Sequence, residues 1–344
     1  MSWRIAIPWL LTAGLMLGGN PVRAENHAAL VAGAQREAQL NIADAAPGEN
    51  FTKFLAAFKA KYPFLDLATG FYSAPTGRVL ARVNAELDAK HVTFDVMLAA
   101  NMAAFVKMTR AGKLQRYDSP EYAAYPPNAK QDGYWAAVQA IGVIMAYNEN
   151  RLSANDAPHA WADLLLPRFA NRQIALQNAA SGTQFNQIYL LQQALGLDYL
   201  KKLGAQRPVV MATSAQVTDA VIRGEVLIGA TLDHWRAFEP AAAKAGLRPI
   251  YPAEGMPLTL APVGIVAGAP HPNAAKLFMD FILSQEGQTL LDTKLYGMYS
   301  MRPDVPPPPG QKPLAETKPL LPTNLDDYLR ASAQFPAEFD SLFH

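Results

Sequence analysis

Short apolar runs of strand length alternate with helix-spaced segments along most of this 344-residue chain, and that alternation narrows the fold more than any other feature. A strand, a helix and another strand in succession pack as layers, with the strands parallel and the helices covering the sheet. Strand candidates are Leu40–Ala43, Leu67–Tyr72, Phe94–Ala99, Val138–Tyr147, Ile174–Gln177, Val209–Ala212, Leu227–Ala230 and Gly264–Ala267. Between them, Phe51–Tyr62, Val79–Ala89, Ala103–Ala111, Asn186–Leu195 and Ala215–Arg223 carry apolar residues every three or four positions, the spacing of a helix with one buried face. Gly224 closes the last of these as a C-cap. A further amphipathic helix over Asn273–Leu283 begins at His271-Pro272-Asn273, and Ser284 caps a shorter helix after it. The fold class is α/β.

Arg4, an apolar run from Ile5 to Gly19, and small residues at Val22 and Ala24 form a secretory signal over residues 1–24, with cleavage before Glu25. The apolar run is shorter than the roughly 20 residues a bilayer span requires. The chain has no cysteine, which excludes disulfides, thiolate metal sites, a cysteine nucleophile and a lipid-anchoring cysteine. A periplasmic location is therefore expected. Net charge is +1, too small to suggest nucleic acid or an anionic membrane as partner.

About 320 residues remain after the leader, long for one core and natural for two lobes. No Gly/Ser-rich linker divides them, so the chain must cross between lobes on ordered strands, expected at Trp135–Ile141 and Leu258–Val263. That makes residues 25–139 and 259–344 a discontinuous first lobe and residues 140–258 an inserted second lobe. Order is expected to fail only near Pro306–Gly310 and in the tail beyond it, where Asp326-Asp327 reads as a solvated face.

In open α/β sheets a ligand binds outside the carboxyl ends of the strands. The rule selects Ala45–Glu49, including Ala46 as a ligand-binding candidate, Ser73–Gly77 and Ala100–Met102 on the first lobe, and Asn178–Thr183 and Thr231–Trp235 on the second. Ser181, Gly182 and Thr183 stand between a strand and a helix, where N–H groups and hydroxyls suit a carboxylate or phosphonate. Ser73, Thr76 and Gly77 repeat that chemistry on the opposite lobe, and Asn101 could add an amide. The same residues also serve as ordinary helix caps. Asp233 suits an ammonium group and Trp235 a cation–π or apolar wall, with Trp135 as a second wall or as core between the lobes. Hydrolase, nucleotide-binding and zinc-protease motifs do not occur, and the six histidines include no pair at helical metal-ligand spacing.

The late segment HPNAAKLFMDFILS resembles bacterial extracellular solute-binding proteins of ABC importers, the family with iron(III), putrescine and aminoethylphosphonate binders. EAQLNIADAA, FLAAFKAKYP, FDVMLAAN, GKLQRYDSP, DGYWAAV, MAYNEN, GLDYLKKLGAQRPVV and RGEVLIG extend the resemblance in order across roughly Glu37–Met301. It implies a type 2 periplasmic-binding-protein fold, two α/β lobes with a ligand cleft between them, in a monomer that delivers a small molecule to an ABC permease and its ATPase, with no cofactor and no catalysis. In the iron(III) binders it also implies an adjacent tyrosine pair, where this chain has Asp233-His234-Trp235. An organic anion or zwitterion is therefore expected. Iron(III) held by Asp233, Glu49 and other oxygen donors, and an enzyme on the same scaffold, stand as alternatives. A cytoplasmic regulator's effector lobe is disfavoured by the export signal.

Overall fold

The computed structural model describes residues 21–46, 48–178 and 182–343, so most of the expected leader and Ser181 lie outside the described residues. The strands are β1 Ile42–Asp44, β2 Phe71–Ser73, β3 Val96–Leu98, β4 Lys130–Gln131, β5 Trp135–Asn148, β6 Ile174–Gln177, β7 Val209–Met211, β8 Ile228–Asp233, β9 Leu247–Ile250, β10 Met256–Ile265 and β11 Pro319–Leu320. The helices are α1 Pro21–Glu37, α2 Asn50–Lys61, α3 Thr76–Asp88, α4 Met102–Arg110, α5 Gly182–Leu195, α6 Leu197–Ala205, α7 Ser214–Arg223, α8 Pro240–Lys244, α9 Pro272–Leu283, α10 Gln285–Gln288 and α11 Leu325–Phe343. No described helix is long and apolar enough to cross a membrane.

The central sheet runs in the order β2-β1-β3-β10-β5-β8-β6-β7. β1, β2 and β3 are parallel, as are β6, β7 and β8, while β5 and β10 run antiparallel to each other and to their other neighbours on this path. β5 is 14 residues long. Its first half pairs with β10 as far as Gly142↔Leu258, and from Val143 onward it pairs with β8 and β9. β5 thus changes partners within one strand, at positions 142/143, and β10 leaves it near 256–258. A side chain at Gly142 would run into the Met256 sulfur and terminal methyl, so glycine there leaves room for the Met256 side chain of the neighbouring strand.

Helix α9 closes the first lobe. Ala274, Leu277, Phe278, Phe281 and Ile282 are buried, and Phe278 meets Phe58 and Phe54 edge-on at 5.2 and 6.2 Å between ring centroids. Its expected cap is different from what forms. Asn273 does not cap the helix itself; the Glu37 carboxylate at the end of α1 accepts from the backbone N–H of Asn273 and of Ala274 and from the Asn273 amide. Ser284 does cap α10, accepting from the Gly287 N–H at 3.0 Å, and Gly224 ends α7 at φ 71°.

The C-terminal tail departs from expectation. Leu325–Phe343 is a 19-residue helix with Tyr328, Phe335, Phe339 and Phe343 buried. Those positions recur at seven- and four-residue steps, a helical stripe. α11 packs on α5 and α6, and Phe335, Phe339 and Phe343 join the second lobe's core with Trp161, Leu191 and Leu203. The tail is helical, and its last three aromatic residues pack with the core of the second lobe while its first turn meets α4. Asp326 is not merely solvated: it pairs with Arg110 of α4 at 2.8 Å.

Truncating Phe339, which is fully buried, to Ala should cost about 3–5 kcal/mol. Urea unfolding checks this; an unchanged midpoint would mean that α11 contributes nothing to the core.

Candidate functional site

The pairing register fixes where a ligand can lie. β3 runs antiparallel to β10, with Leu98 at its carboxyl end opposite Val263, and β10 approaches from the crossing, so the ends of β1, β2 and β3 point toward the second lobe. β8 runs antiparallel to β5 and ends with Asp233 opposite Val143, the first residue past the crossing. Its carboxyl end, with that of its parallel neighbour β6, therefore points toward the first lobe. Strand ends and helix starts of both lobes face one another across β5 and β10.

On the first lobe the centre is Asp44, the last residue of β1, paired in register with Ser73 of β2. Asp44 is fully buried. Its Oδ1 accepts from the Ala46 N–H at 2.9 Å, and Oδ2 has no hydrogen-bond partner among the described residues. Burial pushes the carboxyl up to about 7, against the opposing pull of Ala46 and Ser73. Ala46 is buried with its N–H committed to Asp44. Ser73 is exposed. Thr76 and Gly77 open α3 behind Pro75, which offers no side-chain cap, so the first turn presents its N–H dipoles outward. A Cβ on Gly77 would meet nothing within 4 Å. Asn101 caps α4, its side-chain oxygen accepting from the Ala104 N–H at 2.9 Å.

On the second lobe, Thr183 in the first turn of α5 is buried and reaches the Asp233 carboxyl. Ser214 and Gln177 reach it too, and Ser214 Oγ accepts from the Asp233 N–H at 3.0 Å. Burial raises Asp233 to about 6, with Arg236 and these three side chains pulling the other way. Gly182 begins α5. Trp235 is partly buried with the Arg236 guanidinium 4.3 Å over its ring, so its face already carries a cation of the protein's own.

Trp135 is corrected to a core position. It is 3% exposed, and its indole N–H donates to Gln131 at 3.1 Å. His234 is likewise structural: its Nδ1 accepts from the Gly142 N–H at 2.9 Å, and its ring stacks on Tyr299 at 4.6 Å. Burial lowers it to about 3, keeping the imidazole neutral with its proton on Nε2. Among the described residues no three His, Cys, Asp or Glu side chains form a metal-binding group. A hollow of about 960 Å³, lined by Lys61, Tyr117, Lys276 and Arg302 among others, lies beside α2 and α9, away from all of these strand ends.

Asp44, Gln177 and Ser214 were missed in the sequence. The available signal was position: each stands at a strand's carboxyl end or in a helix's first turn, where the rule for open sheets looks for ligands.

Residues 93–329 match the family described as bacterial extracellular solute-binding protein. This chain belongs to that family. An uncharacterised protein of Haemophilus influenzae is 28% identical over 248 residues, covering 68% of this chain and 69% of its own length. A putative 2-aminoethylphosphonate-binding periplasmic protein of Salmonella typhimurium is 27% identical over 226 residues, covering 62% of this chain and 64% of that protein. Among solved structures, iron-bound HitA from Pseudomonas aeruginosa superposes with a TM-score of 0.75 at 20% identity, over 88% of this chain and 99% of that one. AfuA from Actinobacillus pleuropneumoniae, with exogenous fructose-6-phosphate bound, gives 0.73 at 24% identity, over 89% and 98%. These neighbours carry the type 2 periplasmic-binding fold, and the two-lobed solute-binding architecture expected here is the one present.

Because Asp44 holds its proton up to about pH 7 when folded but releases it near pH 4 when unfolded, its folding advantage is complete at low pH and lost as pH rises through 7. Asp44→Asn keeps the acceptor for Ala46 and removes the titration. The melting temperature of the ligand-free variant should match wild type near pH 4 and exceed it increasingly toward pH 8. A constant difference across that range would show that Asp44 is not the titrating group.

Proposed function

We propose that this solute-binding protein works in the periplasm, closing its lobes on a small organic anion, zwitterions included, and handing it to an ABC permease driven by a separate ATPase. The observation that carries the reading is the facing of strand ends and helix starts. α3 and α5 aim their N-terminal dipoles from opposite lobes, with hydroxyls at Ser73, Thr76 and Thr183, a set suited to a carboxylate, phosphonate or phosphate. Beside these donors each lobe holds one carboxyl, Asp44 and Asp233, able to receive a donor group elsewhere on the ligand. Similarity to a putative 2-aminoethylphosphonate binder favours the same chemistry. A binding role needs closure and complementarity and asks for neither nucleophile nor general acid.

Iron(III) is the second reading, favoured by similarity to an Fe(3+)-binding periplasmic protein of Serratia marcescens, 24% identical over 211 residues and covering 58% of this chain and 61% of that one. Against it stands His234, where the iron binders are expected to carry a phenolate: its ring is committed to Gly142 and Tyr299.

Thermal-shift titration of the purified protein with organic phosphonates, phosphates and carboxylates, and separately with Fe(III), tests the choice. An organic anion at a hundredfold excess over Kd should add about 2.7 kcal/mol of stability. Thr76→Ala, which removes a hydroxyl from the anion-facing start of α3, should weaken that ligand roughly tenfold. Stabilisation by Fe(III) with no response to any organic anion would overturn the proposal.

A further inference from the structure

We infer that the floor of the cleft, on the crossing strands, is a subsite for hydroxyl groups, so that the ligand is a polyhydroxylated organic anion; this rests on the organic-anion reading above and names the other half of the molecule. In an antiparallel ladder, directly opposed residues share a face, as do residues two apart on one strand. Asp233 opposes Val143, Ile141 opposes Thr259, and Gln139 opposes Ala261. Asp233, Ile141, Thr259 and Gln139 therefore line one face of the sheet across the interlobe boundary. Ile141 is the one residue of β5 that is not buried, which marks where this face opens to the cleft.

Helix α5 covers the same face. Its Gln187 accepts from the Thr231 hydroxyl at 2.6 Å, and Thr231 lies two residues before Asp233. Gln184 is one turn earlier on the same side of α5, nearer the strand ends. It is fully buried, and neither its amide nitrogen nor its amide oxygen has a hydrogen-bond partner among the described residues. Thr259 is 1% exposed and its hydroxyl is unpartnered as well. Gln139, 2% exposed, reaches Asp292, whose carboxyl burial pushes well above the ordinary carboxylate range.

Buried amides and hydroxyls left unpaired are costly, so the group that completes this floor can be read from what it lacks. Gln184 needs a donor and an acceptor, and Thr259 can serve as either. An ammonium group only donates and would leave the Gln184 nitrogen unsatisfied; an alkyl chain would satisfy nothing. A hydroxyl both donates and accepts. With the anionic end at the starts of α3 and α5, hydroxyls on the adjoining carbons fall to the floor.

Calorimetric titration of the purified protein with glycerol 3-phosphate, glucose 6-phosphate, 2-aminoethylphosphonate and ethylphosphonate tests the inference. At least one of the two hydroxylated anions should bind about tenfold or more tighter than ethylphosphonate. Thr259→Val and Gln184→Met should each weaken that ligand about tenfold more than they weaken ethylphosphonate, while the melting temperature of the ligand-free variants stays level or rises, since an unpaired polar group has been removed. Tightest binding of 2-aminoethylphosphonate, or a hydroxyl preference that survives both substitutions, would overturn the subsite and leave the organic-anion reading standing. If none of the four anions binds, the reading and the subsite fall together.

Discussion

Everything in this molecule hangs from the antiparallel pairing of β5 and β10. The two strands are long enough to serve both lobes, and their ladder continues to the point where β5 exchanges one partner for another between Gly142 and Val143. Because the parallel strands of each lobe are pinned to this pair with opposite polarity, their carboxyl ends have no choice but to face each other. The cleft follows from strand direction before any side chain is considered. His234 then fastens the boundary: it takes the Gly142 N–H with one nitrogen and lies flat on Tyr299, whose own backbone pairs with Ala140. As its imidazole stays neutral well below physiological pH, this fastening does not respond to acidity in the ordinary range.

The two candidate carboxyls are held in unequal surroundings. Asp233 is attended by Thr183, Ser214 and Gln177 with Arg236 nearby, and its upward shift is smaller than that of Asp44, which has only Ser73 and one backbone N–H to offset complete burial. Each acid keeps one oxygen without a hydrogen-bond partner among the described residues, and the first lobe's, with fewer donors around it, is the one whose charge is costlier until something positive or donating approaches.

Much of this was legible in the sequence, and the gaps have physical causes. Helices with one apolar face, such as Asn50–Lys61, Met102–Arg110 and Pro272–Leu283, announced themselves by spacing, and β6 was read at its true bounds of Ile174–Gln177. β10 was read in two pieces, an ordered crossing strand at Leu258–Val263 and a strand from Gly264, because a strand buried throughout its 10 residues has no alternation to mark its bounds. The tail was misjudged because its proline run outweighed the stripe of Tyr328, Phe335, Phe339 and Phe343 that follows. At the site, the strand-end rule selected loops that do follow β1, β2, β3, β6 and β8, whereas what each residue in them touches was not legible. Whether Asn101 caps a helix or awaits a ligand, and whether Trp135 lines a wall or fills a core, depends on which neighbour is within 3 Å or so, and a single sequence does not encode that distance locally.

The cap that Glu37 places on α9 joins residues more than 230 positions apart. Together with β10, it makes the first lobe a body whose sheet and covering helix are completed by some of the last segments to be synthesised. β1, β2 and β3 alone lack their antiparallel neighbour, the cover of α9 and the partner of α1, and an unfinished sheet of that kind remains open. The inserted lobe can gather its own core from residues 143–250, needing from outside only the faces that α11 covers. A chain so arranged completes its first lobe only when nearly all of it is available.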